Sequence, residues 1–293
     1  MEFLRSENTN YSREWALNIR GKLFTISDPQ VMGIVNCTPD SFYAGSQSST
    51  PETQQKLIDL HVKNGATWLD IGGYSTRPGA EHISEKEEIE RIKFAVSYAL
   101  EYYPEIKISV DTFQSGVADY VLGQGVHLIN DISGGLINPE IFSLVASHQV
   151  PYVLMHMRGT PQNMAQLNRY NNLLQEVILE LGTQIEKARA AGIKDLIIDP
   201  GFGFAKNSEQ NLELFSHLEA FQLFDCPVLV GISRKSMIYK TLGIEAADSL
   251  NGTSVLNTMA LDKGASILRV HDVKEAVEVV KIWKKIRMGI YQL

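Results

Sequence analysis

Polar side chains recur at one kind of place in this chain, directly after short apolar runs. Asn36, Asp70, Asp111, Asn130, the pair Met155-His156, Asp199, the string Gly231-Ile232-Ser233-Arg234-Lys235-Ser236 and the string Arg269-Val270-His271 all stand there. Two chemistries separate within the set. Arg234, Lys235, Arg269 and His271 follow the last two runs. A guanidinium is a planar fork of donors and an ammonium a point charge, so this group reads as an anion site for phosphate or diphosphate. Asp111, Asn130 and Asp199 follow middle runs. A carboxylate accepts two N–H bonds at once, and an amide both donates and accepts. That trio suits the edge of a nitrogen heterocycle bearing an amino group beside a ring N–H, with a general acid–base pair as the competing reading. A resident metal is less favoured, because no His/Asp/Glu cluster with ligand spacing accompanies them.

The apolar runs that must position these groups are Val31–Val35, Thr67–Ile71, Ile106–Val110, Val126–Ile129, Pro151–Met155, Asp195–Ile198, Pro227–Val230 and Ser266–Val270. Each has strand length and is rich in Val, Ile and Leu. Helix-like segments fall between them: Pro51–Asn64, Ser84–Tyr103, Ser115–Leu122, Pro139–Ser147, Asn171–Ala191, Ser208–His217 and Asp248–Asp262, with Asp272–Met288 last. Ser84 before Glu87 and Asp272 before Glu275 read as capping boxes, and Gly65, Gly125, Gly192 and Gly264 as helix ends. Eight alternations with nearly unbroken apolar strands predict an α/β fold, a closed TIM (β/α)8 barrel rather than an open sheet. Such barrels carry their sites at the carboxyl ends of the strands and often bind phosphate after strands seven and eight.

Leu17–Ser27, centred on Arg20-Gly21, reads as a β-hairpin that plugs the barrel bottom. The expected organisation is therefore residues 1–30 as a loose N-terminal extension and hairpin, and 31–293 as one barrel. Cys37–Thr50 and Gly72–His82, long and rich in Gly, Ser, Thr and Pro, leave the active face and are expected to act as lids. His61, His82, His127, His148 and His217 read as structural, and His156 is left without a role. Asp70 and Asp131 are expected to cap the turns that follow them.

A net charge of −7 over 293 residues argues against a nucleic-acid partner. The two cysteines, Cys37 and Cys226, form neither a metal motif nor a disulfide framework. The N-terminus lacks the apolar core of a secretory signal, and no run nears the ~18 apolar residues of a membrane span. A soluble, cytoplasmic protein is expected, without membrane association.

The local strings are more specific. Met32-Gly33-Ile34-Val35-Asn36 with Thr38-Pro39-Asp40-Ser41-Phe42, Asp70-Ile71-Gly72-Gly73 with Ser75-Thr76-Arg77-Pro78-Gly79, Ser109-Val110-Asp111-Thr112 and Ile129-Asn130-Asp131-Ile132-Ser133-Gly134 run in order along the chain. Met155-His156-Met157, Asp199-Pro200-Gly201-Phe202-Gly203-Phe204, Gly231-Ile232-Ser233-Arg234-Lys235-Ser236 and Arg269-Val270-His271-Asp272-Val273 continue the series. Together they resemble the dihydropteroate synthases, pterin-binding barrel enzymes of folate biosynthesis, over almost the whole barrel. The resemblance implies a transferase that condenses 6-hydroxymethyl-7,8-dihydropterin diphosphate with 4-aminobenzoate, giving 7,8-dihydropteroate and diphosphate.

By the same resemblance, Asp111, Asn130, Met155, Asp199 and Lys235 hold the pterin. Asn36, Thr76, Arg269 and His271 hold the diphosphate, and Asn36 helps to place a Mg²⁺. Thr76, Arg77, Pro78, Phe204 and Ser236 form the 4-aminobenzoate side, and Lys235, Arg269 and His271 are the catalytic set. The family also implies a homodimer through outer helices and a dissociative mechanism in which the C–O bond breaks first. Two positions depart from the family pattern: Tyr74, where many members carry Glu, and Tyr43-Ala44-Gly45-Ser46. Alternatives are a pterin-binding methyltransferase barrel, which would not need Arg269, His271 and the Ser-Thr-Arg-Pro-Gly loop together, and a non-catalytic pterin-binding paralogue.

Overall fold

Strands that are apolar on both faces must be covered on both, and the chain does this by closing the sheet on itself and ringing it with helices. The structure, a computed structural model, describes residues 13–38, 50–76 and 81–290. A hairpin, β1 (Trp15–Ile19) and β2 (Lys22–Ile26), comes first. The barrel follows as β3 (Gln30–Asn36), α1 (Pro51–Lys63), β4 (Trp68–Gly72), α2 (Glu85–Tyr102), β5 (Lys107–Asp111), α3 (Ser115–Gln124), β6 (Leu128–Asp131) and α4 (Glu140–His148). Then come β7 (Tyr152–Met155), α5 (Leu173–Ala190), β8 (Leu196–Asp199), α6 (Ser208–Ser216), β9 (Leu229–Val230), α7 (Ser236–Leu242), α8 (Leu250–Asp262), β10 (Ile267–Val270) and α9 (Val273–Ile290).

All eight expected strands form and run parallel in the order β8-β7-β6-β5-β4-β3-β10-β9. A parallel bridge between Ile198 and Val228 joins the two ends of that order, so the sheet is nearly closed. The hairpin lies beneath. Its turn has left-handed backbone at both Arg20 (φ 54°) and Gly21 (φ 80°), the geometry that matches strand twist in a two-residue hairpin. Leu17, Ile19 and Ile26 pack with Met32, Trp68, Leu128, Val153, Ile197, Leu229 and Ile267 to fill the barrel bottom.

That bottom layer explains the site above it. Side chains alternate faces along a strand, so the residue two places on also points inward. Trp68 is followed by Asp70, Leu128 by Asn130, Val153 by Met155, Ile197 by Asp199 and Ile267 by Arg269. The polar ring is the next inward layer, lifted one period above a dry core. Register sets its members level: Gly72 pairs with Asp111, and Asp111 with Asn130.

One helix escapes the sequence reading. The seven residues of α7, SMIYKTL, have no charged face and are too short to show a period, so only Asp248–Asp262 was expected between β9 and β10. Ser84 does accept the Glu87 N–H as a cap. The Asp272 carboxylate, expected to cap α9, instead receives the Arg234 guanidinium at 2.8 and 2.9 Å. Among the described residues no helix is long and apolar enough to cross a membrane. Residues 1–12, 39–49 and 77–80 lie outside the described residues, and with them Tyr43–Ser46 and much of both expected lids.

Candidate active site

Asp70 organises the mouth of the barrel. It is fully buried, and its two oxygens accept from Ser109 Oγ (2.6 Å), Asn130 Nδ2 (2.9 Å) and Arg269 Nε (2.6 Å). It is therefore not a turn cap, as the sequence suggested. Asp131 is one: it accepts the N–H groups of Ser133 (2.7 Å) and Gly135 (3.1 Å), and the Tyr152 hydroxyl (2.6 Å).

Arg269 leaves β10 and spreads its fork across two strands, bonding Asp70 by Nε and Asp111 by Nη2 (2.7 Å). Burial opposes its charge, but Asp70 and Asp111 outweigh that and raise its pKa. Asp111 lies between opposing pulls. Burial pushes its carboxyl up to about 7, Arg269 draws it down, and the charges of Asp70, Glu88 and Asp131 push it up again. A Cβ at position 72 would stand 3.3 Å from the Asp111 Cβ, so Gly72 leaves room for that side chain. The two expected pockets are thus joined: the cation assigned to the anion side holds a carboxylate assigned to the heterocycle side.

The second half of the ring is Asp199 with Lys235. Asp199 ends β8, is buried, and accepts the Gly201 N–H at 2.7 Å. Burial raises its pKa, with Lys235, the Gly201 N–H, Arg269 and Lys206 pulling the other way. Lys235 precedes α7. It donates to the Phe202 carbonyl and lies 4.9 Å from the Phe204 ring centre. Burial draws its ammonium down to about 8, although Asp199 holds it up.

On the anion side, His271 follows β10 with Nδ1 3.1 Å from Ser233 Oγ. Burial and the neighbouring Arg269 push the imidazole down to about 3, so it is neutral at physiological pH and acts as a hydrogen-bonding group rather than a cation. The His271 backbone N–H already donates to Ser233 Oγ at 3.2 Å. A hydroxyl that then gives its own proton to Nδ1 leaves the ring proton on Nε2. Arg234 stands near His271, on whose ring its charge acts, but its guanidinium is already engaged. Buried, with left-handed backbone, it ties α9 to the Ala246 and Ala247 carbonyls and to Asp272, a structural role in place of the anion role expected for it.

Asn36 ends β3, and its Oδ1 accepts from the Thr38 hydroxyl (2.9 Å) and N–H (3.3 Å). Met155 lies in an apolar cluster at the mouth with Tyr74, Phe113, Met157, Met164 and Ala205, and Phe204 packs against it. Thr76 and Ser236 are half-buried, Ser236 as the first residue of α7. Arg77 and Pro78 lie outside the described residues.

The sequence left His156 and Tyr74 without a role and gave Lys206 no notice. His156 is bonded to Lys206 and Glu180. Lys206 is buried under the turn after β8, and the only sequence signal for it is its place directly after Gly-Phe-Gly-Phe-Ala. Tyr74 is buried, sits edge-on to Phe113 at 4.8 Å, accepts from Gln162 at 3.0 Å and lies 3.2 Å from His82 Nδ1. It therefore ties the chain after β4 to the loop after β7, and His82 has a partner in the mouth rather than a remote one.

Comparisons with known proteins agree with this architecture. A family model described as "Pterin binding enzyme" matches residues 32–271. A dihydropteroate synthase from a Synechocystis strain is 42% identical over 255 residues, covering 86% of this chain and 88% of its own. A Yersinia pestis dihydropteroate synthase solved with a sulfonamide drug complex superposes with a TM-score of 0.89 at 39% identity, over 94% of this chain and 100% of that one. A Xanthomonas albilineans dihydropteroate synthase solved with 4-aminobenzoic acid gives 0.85 at 36% identity, over 93% and 99%.

Proposed function

This chain belongs to the pterin-binding enzymes, and from that membership and the geometry of the mouth we infer its reaction. It is a transferase that condenses 6-hydroxymethyl-7,8-dihydropterin diphosphate with 4-aminobenzoate, giving 7,8-dihydropteroate and diphosphate. The observation that carries the reading is the ring of buried Asp70, Asn130 and Asp199 with half-buried Asp111, Lys235 and Arg269 at the barrel mouth, in a chain 42% identical to a synthase over most of its length.

In this reading Asp111, Asn130 and Asp199 meet the pterin edge, Met155 packs beneath the ring, and Lys235 donates to it. Arg269 and His271 take the diphosphate, with Thr76 and Asn36. Charge builds on the diphosphate oxygens as the C–O bond breaks, and a preformed guanidinium in a buried site stabilises that charge without reorganising. The methylene left behind is cationic, and the nearby Asp111 and Asp199 carboxylates favour it. The arylamine nitrogen then attacks and loses a proton, held by Thr76, Arg77, Pro78, Phe204 and Ser236. No side chain acts as a covalent nucleophile.

The donor chemistry at Asn36 fits Mg²⁺, a hard cation that prefers oxygen. Among the described residues no group of three His, Cys, Asp or Glu side chains could hold a metal ion. One amide oxygen, aimed by Thr38, suits an ion whose other ligands are diphosphate and water, so the fit is to a metal that arrives with the substrate. When bound there, it would neutralise part of the leaving group's charge.

Exposed Leu242, Val255 and Met259 on α7 and α8 support a homodimer through these outer helices, which sedimentation would test. Both cysteines are buried thiols, consistent with a cytoplasmic setting. The decisive assay follows diphosphate release with pterin diphosphate, Mg²⁺ and 4-aminobenzoate. Release that depends on 4-aminobenzoate is expected. Folded protein that binds pterin without such release would instead be a non-catalytic paralogue.

A further inference from the structure

The turn after β8 is gripped from inside by a lysine that the chemistry above does not use. Gly201 (φ 73°), Gly203 (φ 83°) and Ala205 (φ 49°) all have left-handed backbone. For Ala205 that conformation costs about 1 kcal/mol, so its surroundings must impose it. Lys206 folds back under the turn, where burial draws its ammonium down to about 7 although Asp199 holds it up, and in its protonated form it spends all three of its donors. Its Nζ bonds Gly201 O (2.9 Å), Phe204 O (3.0 Å) and His156 Nδ1 (2.9 Å). With those carbonyls drawn to Lys206, Phe202 O, one of the two carbonyls between them, receives Lys235. The Gly201 N–H at the same corner fixes Asp199.

A closed circuit of side chains backs this grip. His156 accepts from Lys206 at Nδ1, which leaves Nε2–H to donate to Glu180 at 3.0 Å. Glu180 also receives Arg158 Nε at 3.0 and 3.1 Å. The Arg158 guanidinium lies 4.0 Å over the Tyr170 ring, and the Tyr170 hydroxyl donates to Ala205 O at 3.0 Å, back in the turn. The circuit therefore starts and ends on the segment that follows Asp199 and offers Phe202 O to Lys235. Burial keeps His156 neutral, down at about 4, which suits its part as an acceptor.

We propose that Lys206 is a positioning residue for the pterin pocket: by closing the Gly201 and Phe204 carbonyls onto one ammonium, it sets the turn that aims Asp199 and presents Phe202 O to Lys235. The proposal rests on the pterin-transfer reading above. Its test is Lys206→Met, which keeps length and burial but removes the donors. Calorimetry with 6-hydroxymethylpterin should show binding weakened about tenfold, the equivalent of roughly 1.4 kcal/mol, with a clearly smaller rise in the KM for 4-aminobenzoate, whose side shares Phe204 of the same turn.

Wild-type protein that does not bind the pterin would overturn the reading beneath the proposal. Wild-type binding matched by Lys206→Met would overturn the positioning role alone. So would a comparable rise in the constants for both substrates, which marks a general structural defect. Should Lys206→Met not fold, His156→Leu removes one acceptor of the grip. A weakening of about fivefold, the size of one lost hydrogen bond, is then expected, and unchanged affinity would refute the role.

Discussion

Replacing Arg269 with Met tests whether the two halves of the site are mechanically separate. The change keeps a long apolar stem and deletes the fork that joins Asp70 (2.6 Å) to Asp111 (2.7 Å). Removing one partner of a buried ion pair typically costs about 3–5 kcal/mol, because a buried charge is left uncompensated. Here the cost should fall at the low end, about 3 kcal/mol by the same rule. Asp70 keeps its Ser109 and Asn130 donors, and Asp111, already pushed up to about 7, can take a proton instead of standing alone.

The sign with pH follows from that proton. Without Arg269 the Asp111 carboxyl rises further, so the native state binds more protons than the unfolded chain, and stability falls as pH rises through the folded pKa. The defect of Arg269→Met should therefore be small near pH 6 and largest above about pH 8. A loss of about 3 kcal/mol corresponds to a drop in Tm of about 5 °C in a chain of this size. Thermal denaturation across that range, with calorimetric titration of diphosphate and of the pterin alcohol, reads all three consequences. Diphosphate affinity should fall most, but pterin affinity should fall too, because Asp111 loses its orientation. If the pterin alcohol binds as well as to wild type while diphosphate binding is lost, the bridge is only a resting contact and the reasoning fails.

Three further outcomes follow from the same geometry. Pterin affinity should decline as pH rises through about 8, where Lys235 loses its proton. Lys235→Arg should shift that decline to higher pH, and a limb that does not move would exonerate Lys235. Ser233→Ala should weaken diphosphate binding by about 1 kcal/mol through loss of the bond that sets the His271 ring, with pterin alcohol affinity unchanged in the same titrations. Tyr74→Phe keeps the ring on Phe113 and drops the hydroxyl contacts to Gln162 and His82. It should raise the KM for 4-aminobenzoate more than that for the pterin substrate, and equal effects would argue that Tyr74 does not steady the second substrate's side.

The barrel was legible because burial on both faces leaves a continuous apolar signature, and the ring because each of its members follows a strand. Alternation also separates two aspartates read alike: Asp70, two places after Trp68, turns inward and gathers Ser109, Asn130 and Arg269, while Asp131, next to the inward Asn130, turns to the other face and caps a turn. What alternation cannot reveal is which partner a side chain finds once it is there. Arg234 and Lys235 are adjacent, yet the Arg234 guanidinium is held by Asp272 while Lys235 reaches the Phe202 carbonyl. Lys206 and His156 were harder still. They are 50 residues apart and meet only because β7 and β8 are neighbours in the barrel.

The charges of the mouth suggest why so many ionisable groups are buried together. Asp70, Asp111 and Asp199 face Arg269 and Lys235, with Lys206, drawn down by burial to about 7, beneath the turn that follows Asp199. Burial has already drawn Lys235 down to about 8 and Asp111 up to about 7, so both sit where a small change in local charge alters their protonation. An incoming diphosphate is such a change. Its negative charge would favour the protonated forms of Lys235 and of Asp111, and that bias would relax once the freed diphosphate leaves the mouth. The substrate's own charge would thus set the electrostatics of the step it undergoes, with Arg269 as the fixed group because its proton is the one most firmly held.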